Sequence, residues 1–142
     1  NADALHPHNP KELAHMMEVL SPHPRPVPDF FARDIVRNMT ANEWVVARAL
    51  KSMRSGRDLM DGKMQSVNMP VLIVWGREDL MTPLAVGERL HRGIPQSLLY
   101  VFDGTGHLAP TERSRQVSAS VINFLNAEPP LAAGTQEIAD SR

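Results

Sequence analysis

The chain lacks cysteine and any long apolar run, and each absence narrows what the protein can be. Without cysteine, disulfides, thiolate nucleophiles and zinc-thiolate sites are excluded, so any nucleophile must be oxygen or nitrogen. The same absence fits a reducing compartment, and we expect a cytoplasmic location. No apolar stretch reaches about 18 residues, and the amino terminus has no charged-then-apolar signal pattern. We therefore expect no transmembrane segment.

An excess of charge of either sign is also missing. The formal net charge is −1 over 142 residues, with 42% apolar and 22% charged residues. These values fit one globular domain, or a large piece of one. Because acidic and basic residues are interspersed, no basic face is available, and nucleic acid is not an expected partner. The first residue is not Met, which we interpret as a processed or truncated chain.

The first half of the sequence predicts short helices separated by strong breaks. In NPKELAHMMEVL, Asn9 is a suitable N-cap and Glu12 completes a capping box before an apolar stripe. Four prolines in SPHPRPVP then end that helix. A second helix is expected over residues 29–38, and TANE, from Thr40 to Glu43, is expected to cap a third. Its predicted buried face comprises Val46, Ala49, Leu50 and Met53.

The second half predicts strands that alternate with helices. Val71 to Trp75 and Leu98 to Phe102 are continuous apolar runs, which are typical of strands buried on both faces of a parallel sheet. A helix capped at Thr82-Pro83 lies between them, and another follows the second run. This order predicts an α/β fold with a parallel sheet covered by helices. Residues 127–142 have little to bury, and we expect a flexible tail.

Two titratable residues follow the ends of the two predicted strands. Asp79 lies four residues after Trp75, and His107 lies five after Phe102. Because ligands bind beyond the carboxyl ends of parallel strands, both side chains are expected at one edge of the sheet. A carboxylate there can orient an imidazole, as in the base half of a nucleophilic triad. Taken singly, each residue could be an ordinary turn or loop residue, and Glu78 is an alternative acid.

Two stretches around these residues carry a family resemblance. The sequence resembles the C-terminal portion of the α/β-hydrolase fold in two stretches, MPVLIVWGREDLMTP and GTGHLAPTERSRQVSASVINFL. In that family the acid is the last residue of W-G-x-x-D, and the histidine is the last residue of G-x-G-H. The resemblance implies that Asp79 is the triad acid and His107 the base. It further implies a helical cap over residues 1–68 and a C-terminal core segment over residues 69–126. Within the family, the chain is most similar to bacterial esterases and lipases related to monoacylglycerol lipases.

The sequence departs from that family in lacking a nucleophile motif. No two of its eight glycines are four residues apart, so there is no G-x-S-x-G elbow. The nucleophile, the oxyanion hole and the N-terminal core strands are therefore expected upstream of residue 1. We expect the chain alone to be inactive. Its expected macromolecular partner is the missing N-terminal half of the fold or a second copy of itself.

The resemblance implies a serine hydrolase that acts on a small, apolar carboxylic ester without a cofactor. Leu80, Met81 and Leu108 flank the catalytic candidates and are the expected substrate-binding residues. The alternatives are a carbon-carbon bond hydrolase, a dehalogenase or a perhydrolase of the same fold, or a non-catalytic binding module.

Two other groups of residues could have a function. Four histidines lie near the amino terminus, at His6, His8, His15 and His23. Because no cysteines or clustered carboxylates accompany them in the sequence, no metal site is predicted. Five methionines could line an acyl pocket or could be ordinary core residues; they are Met16, Met17, Met53, Met60 and Met64.

Overall fold

The chain forms two compact units. The computed structural model describes residues 5–56, 60, 62–127 and 134–139. The first unit, here called the helical unit, comprises Asn1–Val19 and Pro24–Asp61. The second, the sheet unit, comprises Leu20–His23 and Gly62–Arg142. The short segment Leu20–His23 therefore belongs to the sheet unit, although it interrupts the helical unit in sequence.

Three helices precede the sheet in chain order: α1 (Pro10–Leu20), α2 (Asp29–Ala41) and α3 (Glu43–Arg54). The cap predicted at Asn9 is confirmed, whereas the Glu12 carboxylate binds the backbone of His8, one residue before the cap, in place of the Asn9 N–H. Asn9 Oδ1 accepts the Glu12 N–H at 3.0 Å, and Glu12 Oε2 accepts the His8 N–H at 2.7 Å. These bonds satisfy backbone N–H groups that have no partner inside the helix. Leu13, Met16 and Val19 form the buried stripe of α1.

The boundary between α2 and α3 differs from the sequence-based prediction. Thr40 does not cap the third helix, because α2 continues to Ala41 and Asn42 joins the two helices. Asn42 satisfies the end of α2 by donating its side-chain amide to the Asn38 carbonyl at 2.8 Å. The predicted buried face of α3 is wrong as well: α3 has no buried residue, and Met53 is 71% exposed. An amphipathic pattern marks the face that can be buried, but burial also needs an opposing surface.

The sheet unit alternates strands and helices as predicted, and the α/β fold class is confirmed. Its elements are β1 (Val71–Gly76), α4 (Leu84–Gly93), β2 (Ser97–Phe102), α5 (Ala109–Glu112), α6 (Ser114–Asn126) and β3 (Gly134–Ile138). The three strands are parallel and stand in the order β1-β2-β3. Ile73, Leu99 and Val101 form a buried cluster against which Leu84 and Leu90 of α4 pack. These contacts bury the runs that the sequence marks as continuous apolar strands.

The strand β3 corrects the expectation of a flexible tail. Residues 134–138 pair in parallel with β2, in a register that sets Leu98 against Gly134 and Phe102 against Ile138. The Ile138 carbonyl also accepts the Asp103 N–H at 3.0 Å. A polar segment can join a sheet in this way because backbone bonds, which need no apolar side chain, pair the free edge of β2. The rest of the predicted tail beyond Ala127, residues 128–133 and 140–142, lies outside the described residues.

We predict that Gly76→Ala destabilises the fold. A Cβ at Gly76, the last residue of β1, would clash with the carbonyl oxygens of Thr105 and Gly106. Both obstacles are backbone atoms and cannot rotate away, so we expect the free energy of unfolding to fall by about 1–3 kcal/mol. Urea denaturation measures this change. Gly134→Ala is the matched control, because a Cβ there meets nothing within 4 Å; equal midpoints for the two variants would contradict the prediction.

Candidate active site

Asp79 and His107 meet at the carboxyl end of the sheet. Asp79 follows β1, His107 lies between β2 and α5, and His107 Nδ1 is 2.9 Å from Asp79 Oδ2. The Asp79 side chain is only 5% exposed, whereas that of His107 is 38% exposed. The carboxylate is thus sequestered from water while the imidazole remains accessible. This is the arrangement that orients a general base and stabilises its protonated form.

Backbone and carboxylate contacts hold the two loops together. β1 and β2 end level with each other, because Gly76 pairs with Phe102. Beyond that pair, the Glu78 N–H donates to the Thr105 carbonyl at 3.0 Å, and Glu78 Oε2 accepts the Thr105 N–H at 2.9 Å. Glu78, the alternative acid, therefore binds the backbone of the histidine loop, whereas Asp79 binds the imidazole.

All the acceptor positions of the Asp79 carboxylate are engaged. Oδ1 accepts the backbone N–H groups of Met81 and Thr82, each at 2.8 Å. Oδ2 accepts the Thr82 hydroxyl at 2.9 Å in addition to His107 Nδ1. Burial by itself raises the pKa of the Asp79 carboxyl, but the hydrogen bonds from Thr82 and His107 outweigh burial, and the pKa lies below its ordinary value. Asp79 is consequently ionised at neutral pH.

A second carboxylate, that of Glu112, braces the backbone of the histidine loop. Glu112 Oε1 accepts the Gly106 N–H at 3.1 Å, and Glu112 Oε2 accepts the hydroxyl of buried Ser21 at 2.8 Å. The His107 N–H donates to the Leu20 carbonyl at 2.7 Å. The segment Leu20–His23 is thereby fastened to the loop that carries His107. Sequence reasoning missed Ser21 and Glu112, and no local signal could have linked residues 91 positions apart.

The expected substrate-binding residues adjoin the pair along the chain. Leu80 is 64% exposed, and Met81 and Leu108 are partly buried. Two of them also contribute backbone groups: Met81 donates to Asp79, and the Leu108 carbonyl accepts the N–H groups of Thr111 and Glu112 at the start of α5. The role of their side chains as a pocket wall stays a prediction.

Two of the methionines that could be either pocket or core residues, Met16 and Met17, have different environments in the helical unit. Met16 is buried in the apolar stripe of α1. Met17 is partly buried and lines a cavity of about 420 Å³ together with Leu13, Pro24 and Ala32. Met16 therefore belongs to the core of this unit, and Met17 remains a candidate pocket residue.

Among the residues that the structure describes, no three His, Asp or Glu side chains gather into a group that could hold a metal ion. Within the same residues, every helix is too short or too polar to cross a membrane.

Comparison with known proteins identifies the class that this fold and site define. The profile of the alpha/beta hydrolase fold matches residues 15–114. That match covers more than half of the chain, so the protein belongs to the α/β-hydrolase fold family, as the sequence motifs predicted.

Individual relatives are hydrolases that are much longer than the matched region. The uncharacterized hydrolase YugF of Bacillus subtilis is 40% identical over 68 residues, 48% of this chain and 25% of its own length. The 2-hydroxy-6-oxononadienedioate/2-hydroxy-6-oxononatrienedioate hydrolase 2 of Pseudomonas putida is 41% identical over 63 residues, 44% of this chain and 22% of its own. A bacterial membrane phospholipase A shares the fold with a TM-score of 0.76 at 17% identity, over 89% of this chain and 42% of that structure. The chain thus spans less than half of the proteins it matches.

Replacement of Asp79 should change how the free energy of unfolding depends on pH. Because the pKa of Asp79 is lowered in the folded protein, its ionised form stabilises the fold above the unfolded-state pKa of about 3.9, and this stabilisation is lost as the pH falls through the folded-state pKa. We expect Asp79→Asn to be less stable than the parent at pH 7, by an amount that shrinks towards pH 2. Urea unfolding at several pH values measures this difference.

The control for that measurement is Asp34→Asn, which removes an exposed carboxylate on α2. A stability difference for Asp79→Asn that stays constant with pH would contradict the expectation.

Loss of the Glu112 brace should destabilise the sheet unit. Glu112→Ala leaves the Ser21 hydroxyl and the Gly106 N–H without their acceptor. An unsatisfied buried donor costs about 1–3 kcal/mol, so we expect a loss of that size in urea unfolding. Ser21→Ala combined with Glu112→Ala should cost less than the sum of the single changes. Glu88→Ala, at an exposed pair on α4, is the control; additive effects at the first two positions would refute the brace.

Proposed function

We propose that this chain supplies the acid and the general base of a serine hydrolase that acts on small, apolar carboxylic esters. The observation that carries the proposal is the 2.9 Å contact between a buried, ionised Asp79 and an accessible His107. With Nδ1–H bonded to Asp79, His107 Nε2 keeps a free lone pair for proton transfer. The sequence has no G-x-S-x-G motif, so the serine would come from the part of the fold that this chain does not span.

The reaction would proceed in two halves, each with two proton transfers through His107. As the serine oxygen attacks the ester carbonyl carbon, Nε2 takes the hydroxyl proton, and Asp79 stabilises the imidazolium. The imidazolium then returns this proton to the departing alcohol, and an acyl-enzyme remains. In the second half, His107 deprotonates a water molecule that attacks the acyl carbon. The imidazolium then gives this proton to the departing serine oxygen, which releases the acid and restores the serine hydroxyl.

The apolar surroundings of the pair favour an uncharged ester. Leu80, Met81 and Leu108 flank the acid and the base, and we propose them as the substrate-binding residues. Two arginines near the strand ends already have partners. Arg77 pairs with Asp103 and Glu137, and Arg113, at the junction of α5 and α6, donates to backbone carbonyls of the loop after β2. A neutral acyl group therefore fits these surroundings better than a carboxylate does.

A second candidate is hydrolysis of a carbon-carbon bond in a ring-cleavage product. It is favoured by the Pseudomonas putida relative, whose name gives dienedioate and trienedioate substrates, at 41% identity over 63 residues. The same Asp79–His107 pair would serve that reaction by proton transfer. Such a substrate carries two carboxylates, and these would need cationic partners outside the strand-end loops described here.

The remaining parts of the chain have proposed roles within the same hydrolase. We propose that residues 1–68 act as the cap and that Met17 lines an acyl-binding cavity within the helical unit. In the described sheet, β1 pairs with a strand on one side only. An unpaired edge of this kind is a template for strand addition, so we propose the remainder of the fold, or a second copy of the chain, as its partner. A cytoplasmic location belongs to the same proposal.

Activity measurements on the protein that includes the nucleophile test the proposal. We expect hydrolysis of p-nitrophenyl butyrate, and His107→Ala should lower kcat by about 10⁴-fold or more, because triad members act as a unit. The 142-residue chain by itself should show no turnover. Exposed His15, replaced by Ala, is the control.

The results discriminate between the candidates. Turnover of a 2-hydroxy-6-oxo-dienoate without ester hydrolysis would replace the first candidate by the second. Near-full activity of His107→Ala towards both substrates would show that the base is another residue.

A further inference from the structure

Thr82 contacts both members of the acid-base pair. Its hydroxyl oxygen lies 2.9 Å from Asp79 Oδ2 and 3.2 Å from His107 Nδ1. The sequence predicts this threonine as a helix cap, but Pro83 occupies the N-cap position of α4, and the Thr82 side chain makes no capping bond. Its hydroxyl contacts the acid and the base instead.

We propose that Thr82 is a positioning residue that, together with Asp79, holds His107 in the tautomer that carries its proton on Nδ1. This inference rests on the proposed function, because only that tautomer leaves Nε2 free to accept a proton from a nucleophile. Asp79 keeps its role as the acid, and Thr82 acts through the acid and the imidazole without touching the substrate.

The direction of each hydrogen bond follows from the donors available. An ionised carboxylate can only accept, so the single proton of the Thr82 hydroxyl points to Asp79 Oδ2. The lone pairs of the same oxygen then remain for His107. Nδ1 consequently faces two acceptors, Asp79 Oδ2 and Thr82 Oγ1, and a proton on Nδ1 satisfies both. If Nδ1 were unprotonated, its lone pair would face the carboxylate, and only a rotated Thr82 hydroxyl could supply a donor.

Thr82 is itself held by its backbone. Its N–H donates to Asp79 Oδ1 at 2.8 Å, and its carbonyl accepts the indole N–H of Trp75 at 3.0 Å. Because Trp75 lies in β1, the strand fixes the position of Thr82, which in turn bonds Asp79. Pro83 follows with φ −54° and restricts the chain further. These contacts fix the backbone from which the Thr82 hydroxyl projects.

The test compares a variant that loses the hydroxyl with one that keeps it. Thr82→Val is nearly isosteric and has no hydroxyl, whereas Thr82→Ser retains it. In protein labelled with ¹⁵N-histidine, the ring nitrogen shifts of neutral His107 report the tautomer, and His107→Gln assigns the signals. We expect the Nε2–H tautomer to rise at least threefold in Thr82→Val and to stay near the parent level in Thr82→Ser. A purely structural role would not produce this difference.

Other outcomes overturn the inference. An unchanged tautomer in Thr82→Val would do so, as would an equal change in Thr82→Ser. If Thr82→Val does not fold, Thr82→Ala takes its place, and a failure of both to fold would show that the hydroxyl serves folding.

The proposed function fails separately from this inference. With the nucleophile present, Thr82→Val should lower kcat about tenfold at unchanged KM. Absence of any hydrolase activity, together with the tautomer change, would refute the function and leave the positioning role intact.

Discussion

The close approach of two backbone loops at the carboxyl ends of β1 and β2 is the constraint on which the site depends. Gly76 ends β1 directly against the carbonyl oxygens of Thr105 and Gly106, where no Cβ fits. This proximity allows Glu78 to bond Thr105 through both its backbone and its carboxylate. The contact between the two loops consequently brings Asp79 and His107 close together, and the two side chains then bond to each other.

Burial of the Asp79 carboxylate is tolerated because its oxygens are fully bonded. Removing an ionised carboxylate from water is costly unless hydrogen bonds replace its hydration. Two backbone N–H groups, the Thr82 hydroxyl and the His107 imidazole supply those bonds. The same bonds lower the pKa of the acid against the effect of burial. A negative charge therefore lies beside an exposed imidazole, and the contacts that stabilise this charge also hold the imidazole in place.

Much of the fold and the centre of the site followed from local patterns. Continuous apolar runs predicted β1 and β2, and the parallel arrangement placed Asp79 and His107 at one edge, because residues after parallel strands emerge together. The cap at Asn9 was predictable for the same reason, since its partners lie within one turn. The patterns failed at α3 and β3. Burial of an amphipathic face and the pairing of a polar strand both depend on surfaces supplied elsewhere in the chain.

The sequence by itself determined the α/β architecture, the family and the approach of Asp79 to His107, because each is encoded by short stretches of neighbouring residues. Only the tertiary structure decided which groups complete the site. The sequence predicts Thr82 as a helix cap, whereas in the structure its hydroxyl contacts both Asp79 and His107. Ser21 and Glu112 became partners only on folding, since 91 residues separate them. Short-range periodicity carries no information on contacts of that range, which arise when strand order and loop packing bring distant backbone segments together.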